Sequence, residues 1–147
     1  MDCAPKPPIP VPAVGVVCIR SKAGEGEVLL IRRGKPPRAG EWSLPGGRIE
    51  PGERAVHAAL RQLREETGVE AELLGLIDVV DGLFPEARMH YVLIDYAAVW
   101  RSGEPVAGDD AAEARFFPVA EIDALIDWSE TRRIIRQAFE MTDAGAK

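Results

Sequence analysis

The stretch Gly46-Gly47-Arg48-Ile49-Glu50-Pro51-Gly52-Glu53 runs into a helix-compatible segment that closes Arg61-Gln62-Leu63-Arg64-Glu65-Glu66-Thr67-Gly68-Val69. It couples a sharp glycine turn to a short helix whose last turn carries two adjacent glutamates. The C-terminal end of a helix already holds partial negative charge on its unpaired carbonyls, so Glu65 and Glu66 oppose the dipole. A bound divalent cation reverses the sign of that conflict. Val56, Leu60 and Leu63 recur at helical spacing and predict a buried stripe over 53–67, with Gln62, Glu65 and Glu66 grouped on roughly the opposite face. Glu53 suits the positive end of this helix, and Gly68 suits the position just past its C-terminus.

A chain of 147 residues fits one domain with its own core. A net charge of −6 argues against nonspecific nucleic-acid binding, which depends on phosphate contacts from Lys and Arg. A small phosphorylated ligand remains open, because a carboxylate-held metal bridges an acidic site to an anion. No apolar run approaches the roughly 20 residues needed to cross a bilayer. The start is proline-rich instead of apolar behind a basic segment, so no membrane partner and a cytoplasmic location are expected. Cys3 and Cys18 do not form a disulfide framework pattern, which agrees with a reducing setting.

Prolines at 5, 7, 8, 10 and 12 mark residues 1–12 as a flexible lead-in, since proline cannot donate to a ladder. Residues 13–141 read as one domain and 142–147 as a frayed end. Apolar runs at 13–20 and 28–33 flank a Gly24-Glu25-Gly26 turn and predict an antiparallel hairpin. Residues 34–40, with Pro36-Pro37, form a loop. Strands are expected at 72–80 and 90–100 around a loop at 81–89. A turn over 101–107 leads to an acidic patch at Asp109, Asp110 and Glu113. A short strand at 115–117 and helices at 119–125 and 129–141 complete the pattern. Strands and helices mixed in this order define an α/β chain, a sheet sandwiched by helices.

The loop–helix unit suits magnesium-dependent cleavage of a diphosphate. Metal ions there act as Lewis acid, template and charge neutraliser. Magnesium takes oxygen ligands and keeps waters, so one or two protein carboxylates suffice. The glycine pair lets a backbone carbonyl approach the same ion. The segment resembles the Nudix box, Gly-x5-Glu-x7-Arg-Glu-U-x-Glu-Glu-x-Gly-U with U aliphatic. Gly47, Glu53, Arg61, Leu63, Glu65, Glu66, Gly68 and Val69 fall on its positions. The Gly40-Glu41-Trp42-Ser43-Leu44-Pro45 lead-in is similar as well.

That resemblance implies an α/β/α sandwich with a mixed sheet and a loop–helix metal-binding motif. It implies Mg²⁺-dependent hydrolysis, Mn²⁺ being an alternative, of a nucleoside diphosphate linked to another group, such as a nucleoside triphosphate or ADP-ribose. The partner is then a small nucleotide, and a homodimer is allowed. Glu65 and Glu66 take the place of metal ligands, with the Gly46 carbonyl as a further ligand. Arg61 orients glutamates, Glu53 among them. One position departs: Gln62 stands where the family has a glutamate that ligates metal or activates water. Glutamine keeps an acceptor oxygen but has no charge and takes no proton at neutral pH. Three readings follow: a hydrolase whose base comes from another carboxylate, a slow hydrolase, or a nucleotide-binding sensor or regulator.

Asp109, Asp110 and Glu113 are the candidate substitutes, the other reading being a solvated turn. Glu50 is a further nearby carboxylate. Arg32, Arg33, Lys35 and Arg38 could bind substrate phosphates or simply face solvent. Trp42, Phe84, His90 and Tyr91 offer aromatic surfaces for a base, or pack into the core. His57, on the helix flank, reads as structural or exposed.

Overall fold

The computed structural model describes residues 6–35, 38–108 and 110–145, with side chains described as far as residue 142. Pro36-Pro37, Asp109 and Cys3 therefore lie outside the described residues. Strands β1 (Val11–Lys22) and β2 (Glu25–Arg33) form the expected hairpin. Its turn is Ala23-Gly24, tighter than the Gly24–Gly26 signal, and both residues have positive φ. That is the type I′ geometry whose twist matches the flanking strands. β1 starts two residues before the expected 13, so Pro12 is inside the strand and its carbonyl accepts the Ile49 N–H at 3.3 Å.

The two strands pair only from Ile19↔Val28 to Lys22↔Glu25. Beyond that they part. Strand β4 (Gly46–Arg48) lies beside Ala13–Gly15 of β1, and β3 (Trp42–Ser43) lies beside Ile31–Arg32 of β2. This fork in the sheet is what opens a cleft. Strand β6 (Met89–Ser102) runs parallel to β1, and β5 (Glu70–Phe84) runs antiparallel to β6. Strand β7 (Ala111–Pro118) is antiparallel to β2, so the sheet is mixed. β5 continues through most of the expected 81–89 loop, because Val80 and Gly82 face inward and pair with Leu93 and Tyr91. Only a 3-10 turn at Pro85–Ala87 remains of that loop.

Helices cover both faces. Helix α1 (Ala55–Thr67) packs on Val14, Val16, Cys18, Leu29, Tyr96 and Ala98. A 3-10 turn at Val119–Glu121 leads into α2 (Ile122–Leu125), and α3 (Ser129–Gly145) follows. The α3 side packs on Val17, Ile19, Val28, Leu30 and Ala97. The alternation of β1 between the two sets is the period-2 signature of a strand buried on both faces.

Helix α1 differs from expectation at two points. It begins at Ala55, so Glu53 lies in the loop before it and no acidic residue occupies its first turn. Its buried stripe is Ala58, Ala59 and Leu63 with Glu66 and Thr67, whereas Val56 is 38% exposed. The alanines let the helix approach β1 closely, which rotates Val56 outward. Burying Leu63 alone contributes about 2 kcal/mol. Among the described residues no helix is long and apolar enough to cross a membrane.

Candidate active site

A cavity of about 740 Å³ opens at the fork. Its walls come from β1, the β3–β4 turn, α1 and the start of α3. The α1 side is built on a clasp. Arg61 donates from Nε to Glu53 at 2.6 Å and from Nη2 to the other Glu53 oxygen at 2.9 Å. Its remaining nitrogen donates to Glu65 at 3.1 Å, and Nη2 also reaches the Arg48 carbonyl at 3.2 Å. Glu53 further accepts the Glu50 N–H at 3.0 Å. The Arg61 hydrogen bonds, then the Glu50 N–H, hold Glu53 well below its usual range at about 2. The same pairing raises Arg61. This one guanidinium therefore ties the 48–53 loop to the helix.

Glu66 sits one residue further on and is 9% exposed. Its carboxylate accepts the Gly46 N–H at 2.9 Å. Gln62 lies beside it, with Nε2 3.4 Å from the Arg48 carbonyl. Its amide rests where a side chain at Gly47 would go: a Cβ there would fall 2.5 Å from Gln62 Nε2. The carbonyls at the end of α1 are largely answered by backbone. Gly68 N–H reaches Arg64, Val106 N–H reaches Thr67 and Gly108 N–H reaches Glu66, all within 2.8–2.9 Å. Gly108 must be glycine for this, since a Cβ would lie 2.4 Å from the Glu65 carbonyl. The dipole conflict expected for Glu65 and Glu66 is thus softened by capping and by Arg61.

Glu66, Gln62, Gly46, Asp110, Arg33, Arg38 and Trp42 all line the cavity. Asp110 is ion-paired with Lys35 at 2.7 Å, and Arg38 with Glu41 at 3.6 Å. Trp42 packs edge-on against Phe117 with ring centres 4.8 Å apart, so it serves the core and the wall together. Four expected site residues are not on the wall. Glu65 and Arg61 belong to the clasp, while Arg32 and Glu113 face each other across β2 and β7 in a 2.7 Å ion pair. Asp109 lies outside the described residues. His57 is exposed.

Two wall residues went unnoticed in the sequence. Trp128 packs edge-on to Phe84 at 5.6 Å, making an aromatic corner. Asp95 projects from the middle of β6 and is 6% exposed. A lone charge inside Tyr91-Val92-Leu93-Ile94-Asp95-Tyr96-Ala97-Ala98 was the available signal, because an apolar strand does not bury a carboxylate without cause. Burial pushes its carboxyl up to about 7, with Arg133 pulling it down and Asp78 adding to the rise.

The donors gathered by Gly46, Gln62 and Glu66 are oxygens, with no nitrogen or sulfur ligand among them. Such a set fits a hard divalent cation that keeps part of its water shell. No cluster of three or more His, Cys, Asp or Glu residues with metal-binding geometry exists among the described residues.

A forked mixed sheet between helices, with a glycine turn laid against a glutamate-bearing helix, defines an α/β/α sandwich. Residues 9–138 match the NUDIX domain, and the chain belongs to that family. It is 37% identical over 114 residues to the ADP-ribose pyrophosphatase of Methanocaldococcus jannaschii, covering 78% of this chain and 66% of that one. The chain thus spans just under two thirds of this relative's length. Among solved structures, the NUDIX domain of Shewanella oneidensis NrtR complexed with ADP ribose superposes with a TM-score of 0.80 at 24% identity. That match covers 91% of this chain and 89% of that one. The MutT NUDIX hydrolase from Burkholderia pseudomallei gives 0.74 at 29% identity, covering 88% and 98%.

Proposed function

We propose that this chain is a divalent-cation-dependent hydrolase that cleaves the phosphoric anhydride of a nucleoside diphosphate joined to another group, ADP-ribose among its candidate substrates. The carrying observation is Glu66, a buried residue of the cavity wall with its carboxylate fixed by the Gly46 N–H at 2.9 Å. Family membership supports the reaction class, and the activity named for the M. jannaschii relative supports the substrate class.

Glu66, the Gly46 carbonyl and the Gln62 amide oxygen would hold Mg²⁺ or Mn²⁺. When bound, the ion supplies Lewis acidity and neutralises charge on the diphosphate. Glu65 is a second carboxylate, available only by leaving Arg61. Arg33, Lys35 and Arg38 are assigned to the substrate's anionic groups, and the Phe84–Trp128 corner to its apolar surface.

Proton removal from the attacking water falls to a residue other than Gln62. Of the acidic patch, Asp110 is the described residue on the cavity wall, where an ion pair with Lys35 at 2.7 Å positions it. Glu113 is held by Arg32 on the strand and plays no part in this scheme.

The test is a panel of nucleoside triphosphates, ADP-ribose and dinucleoside polyphosphates with Mg²⁺ or Mn²⁺, run on the wild type and on Gln62→Glu. Turnover by the wild type, raised about 10-fold by Gln62→Glu, is expected. No release from any substrate by the wild type, with release appearing in Gln62→Glu, would overturn the hydrolase in favour of a nucleotide sensor.

A further inference from the structure

Asp95 is a buried carboxylate on the cavity wall that the hydrolase reading leaves unused. It shares a sheet face with Ala97, which packs on the α3 side, while Glu66 reaches the cavity from α1 on the other face. Its register partner on β1 is Gly15, which also pairs with Gly46 of β4. The carboxylate lies directly over Gly15: a Cβ there would fall 2.2 Å from Asp95 Oδ1. A glycine in the central strand therefore makes room for this side chain.

The carboxylate is more than nine-tenths buried, lines the cavity and accepts no hydrogen bond among the described residues. Its charged neighbours do not answer it. Arg133 is engaged with Asp78 at 3.0 Å and with Glu130 at 2.8 Å. Leu44, Val80, Leu93 and Ile126 are apolar members of the same wall, Asp127, Glu130 and Thr131 its polar members towards α3, and Asp78 is the register partner of Asp95 on β5. Among the described residues Asp95 belongs to no group of three or more His, Cys, Asp or Glu side chains placed to hold a metal ion. An unpartnered acceptor of a largely buried residue, opening onto a cavity, is placed for a ligand that supplies its partner.

We infer that Asp95 is a specificity-determining residue that accepts a pair of adjacent hydrogen-bond donors from the nucleoside part of the ligand. An ionised carboxylate presents two acceptor oxygens and no donor, so its complement is two neighbouring N–H or O–H groups. Nucleosides offer that pair in two places, the N1–H and 2-amino edge of guanine and the 2′,3′-diol of ribose. A site built around such a contact rejects analogues lacking the donor, because its own polar group is then left unpaired. The inference rests on the proposed nucleotide-handling function, but not on turnover.

The test is calorimetric binding of nucleoside monophosphates, which contain no anhydride bond to cleave. One arm compares GMP with IMP, which lacks the 2-amino group. The other compares AMP with 2′-deoxy-AMP. Wild-type protein should favour the complete ligand by about 10-fold or more in one arm, and the responding arm identifies the source of the donors. Asp95→Asn and Asp95→Ala should bring that ratio to within about 2-fold while leaving the deficient analogue's affinity little changed. No preference in either arm, or a preference that survives both substitutions, overturns the assignment. Turnover without donor preference overturns Asp95 alone. Donor preference without turnover supports it and overturns only the hydrolase.

Discussion

The two faces of the cavity treat charge in opposite ways. On the α1 side every acid of the site has a partner: Glu53 and Glu65 share Arg61, and Glu66 takes the Gly46 N–H. On the α3 side Asp95 is buried more deeply and has none among the described residues. Compensated charge fixes geometry, because each contact restrains a loop against the helix. Uncompensated charge is held for something absent from the free protein. The contrast separates groups that shape the site from groups that read its ligand.

The largest effect should come from the residue where the faces meet the chemistry. Glu66→Gln keeps an acceptor for the Gly46 N–H and so preserves the fold, but it removes the only buried anion in the oxygen-donor set. Hydrolysis with Mg²⁺ should fall about 10²- to 10³-fold in kcat, roughly 3–4 kcal/mol of barrier, with thermal unfolding little changed. A variant within about 3-fold of wild type would show that the cation is held elsewhere.

Titration should expose the second difference, with opposite signs on the two faces. Asp95 ordinarily titrates near 3.8 and in the fold near 7. Between these values the unfolded chain gives up its proton while the folded one keeps it, so stability falls as pH rises and levels off above 7. Asp95→Asn should therefore match wild type at pH 4 and exceed it by on the order of 3 kcal/mol at pH 8, measured by urea unfolding. Equal stability at both pH values would mean that the carboxylate finds a partner in the free protein.

Glu53 behaves in the reverse sense. Its folded value of about 2 lies below the ordinary 4.5, so its contribution is present above 4.5 and is lost as pH falls through 2. Glu53→Gln should be less stable than wild type near pH 6, and the gap should close towards pH 2. A gap that stays constant across that range would deny the clasp its electrostatic role. Here the deficit arises because Arg61 loses its bidentate partner and the 48–53 loop loses its tie.

Much of the α1 face could be read in the sequence because it is local. Gly46, Gly47, Glu53, Arg61 and Glu66 lie within one loop and one helix, and their spacing fixes who meets whom. The Gly68 terminus followed from that spacing, and the Arg61–Glu53 pairing from the family resemblance that the spacing carries. The stripe of α1 was misjudged because Val56 outranks Ala58 and Ala59 in hydrophobicity, yet close helix–sheet approach favours the smaller pair. The α3 face depends on register between strands distant in the chain. Nothing in the neighbourhood of Asp95 announces that Gly15 lies across from it, and only the parallel β1–β6 pairing supplies that fact. Arg32 and Glu113 teach the same lesson in reverse, since cross-strand register turns two candidate site residues into each other's partners.

The finest test lies within the adjacent pair Glu65 and Glu66, which the sequence presents as equals. Glu65 faces Arg61 with 44% of its side chain exposed, whereas Glu66 is buried against Gly46. Glu65→Gln leaves Arg61 gripped by both oxygens of Glu53, so the loop should hold and kcat should drop by less than about 10-fold. Raising Mg²⁺ should recover most of that loss if Glu65 contributes charge near the ion, and should do nothing for Glu66→Gln. If instead Glu65→Gln proves the more damaging of the two, Glu65 leaves Arg61 during turnover and becomes the principal ligand. The clasp would then be a resting state of the site instead of its working form.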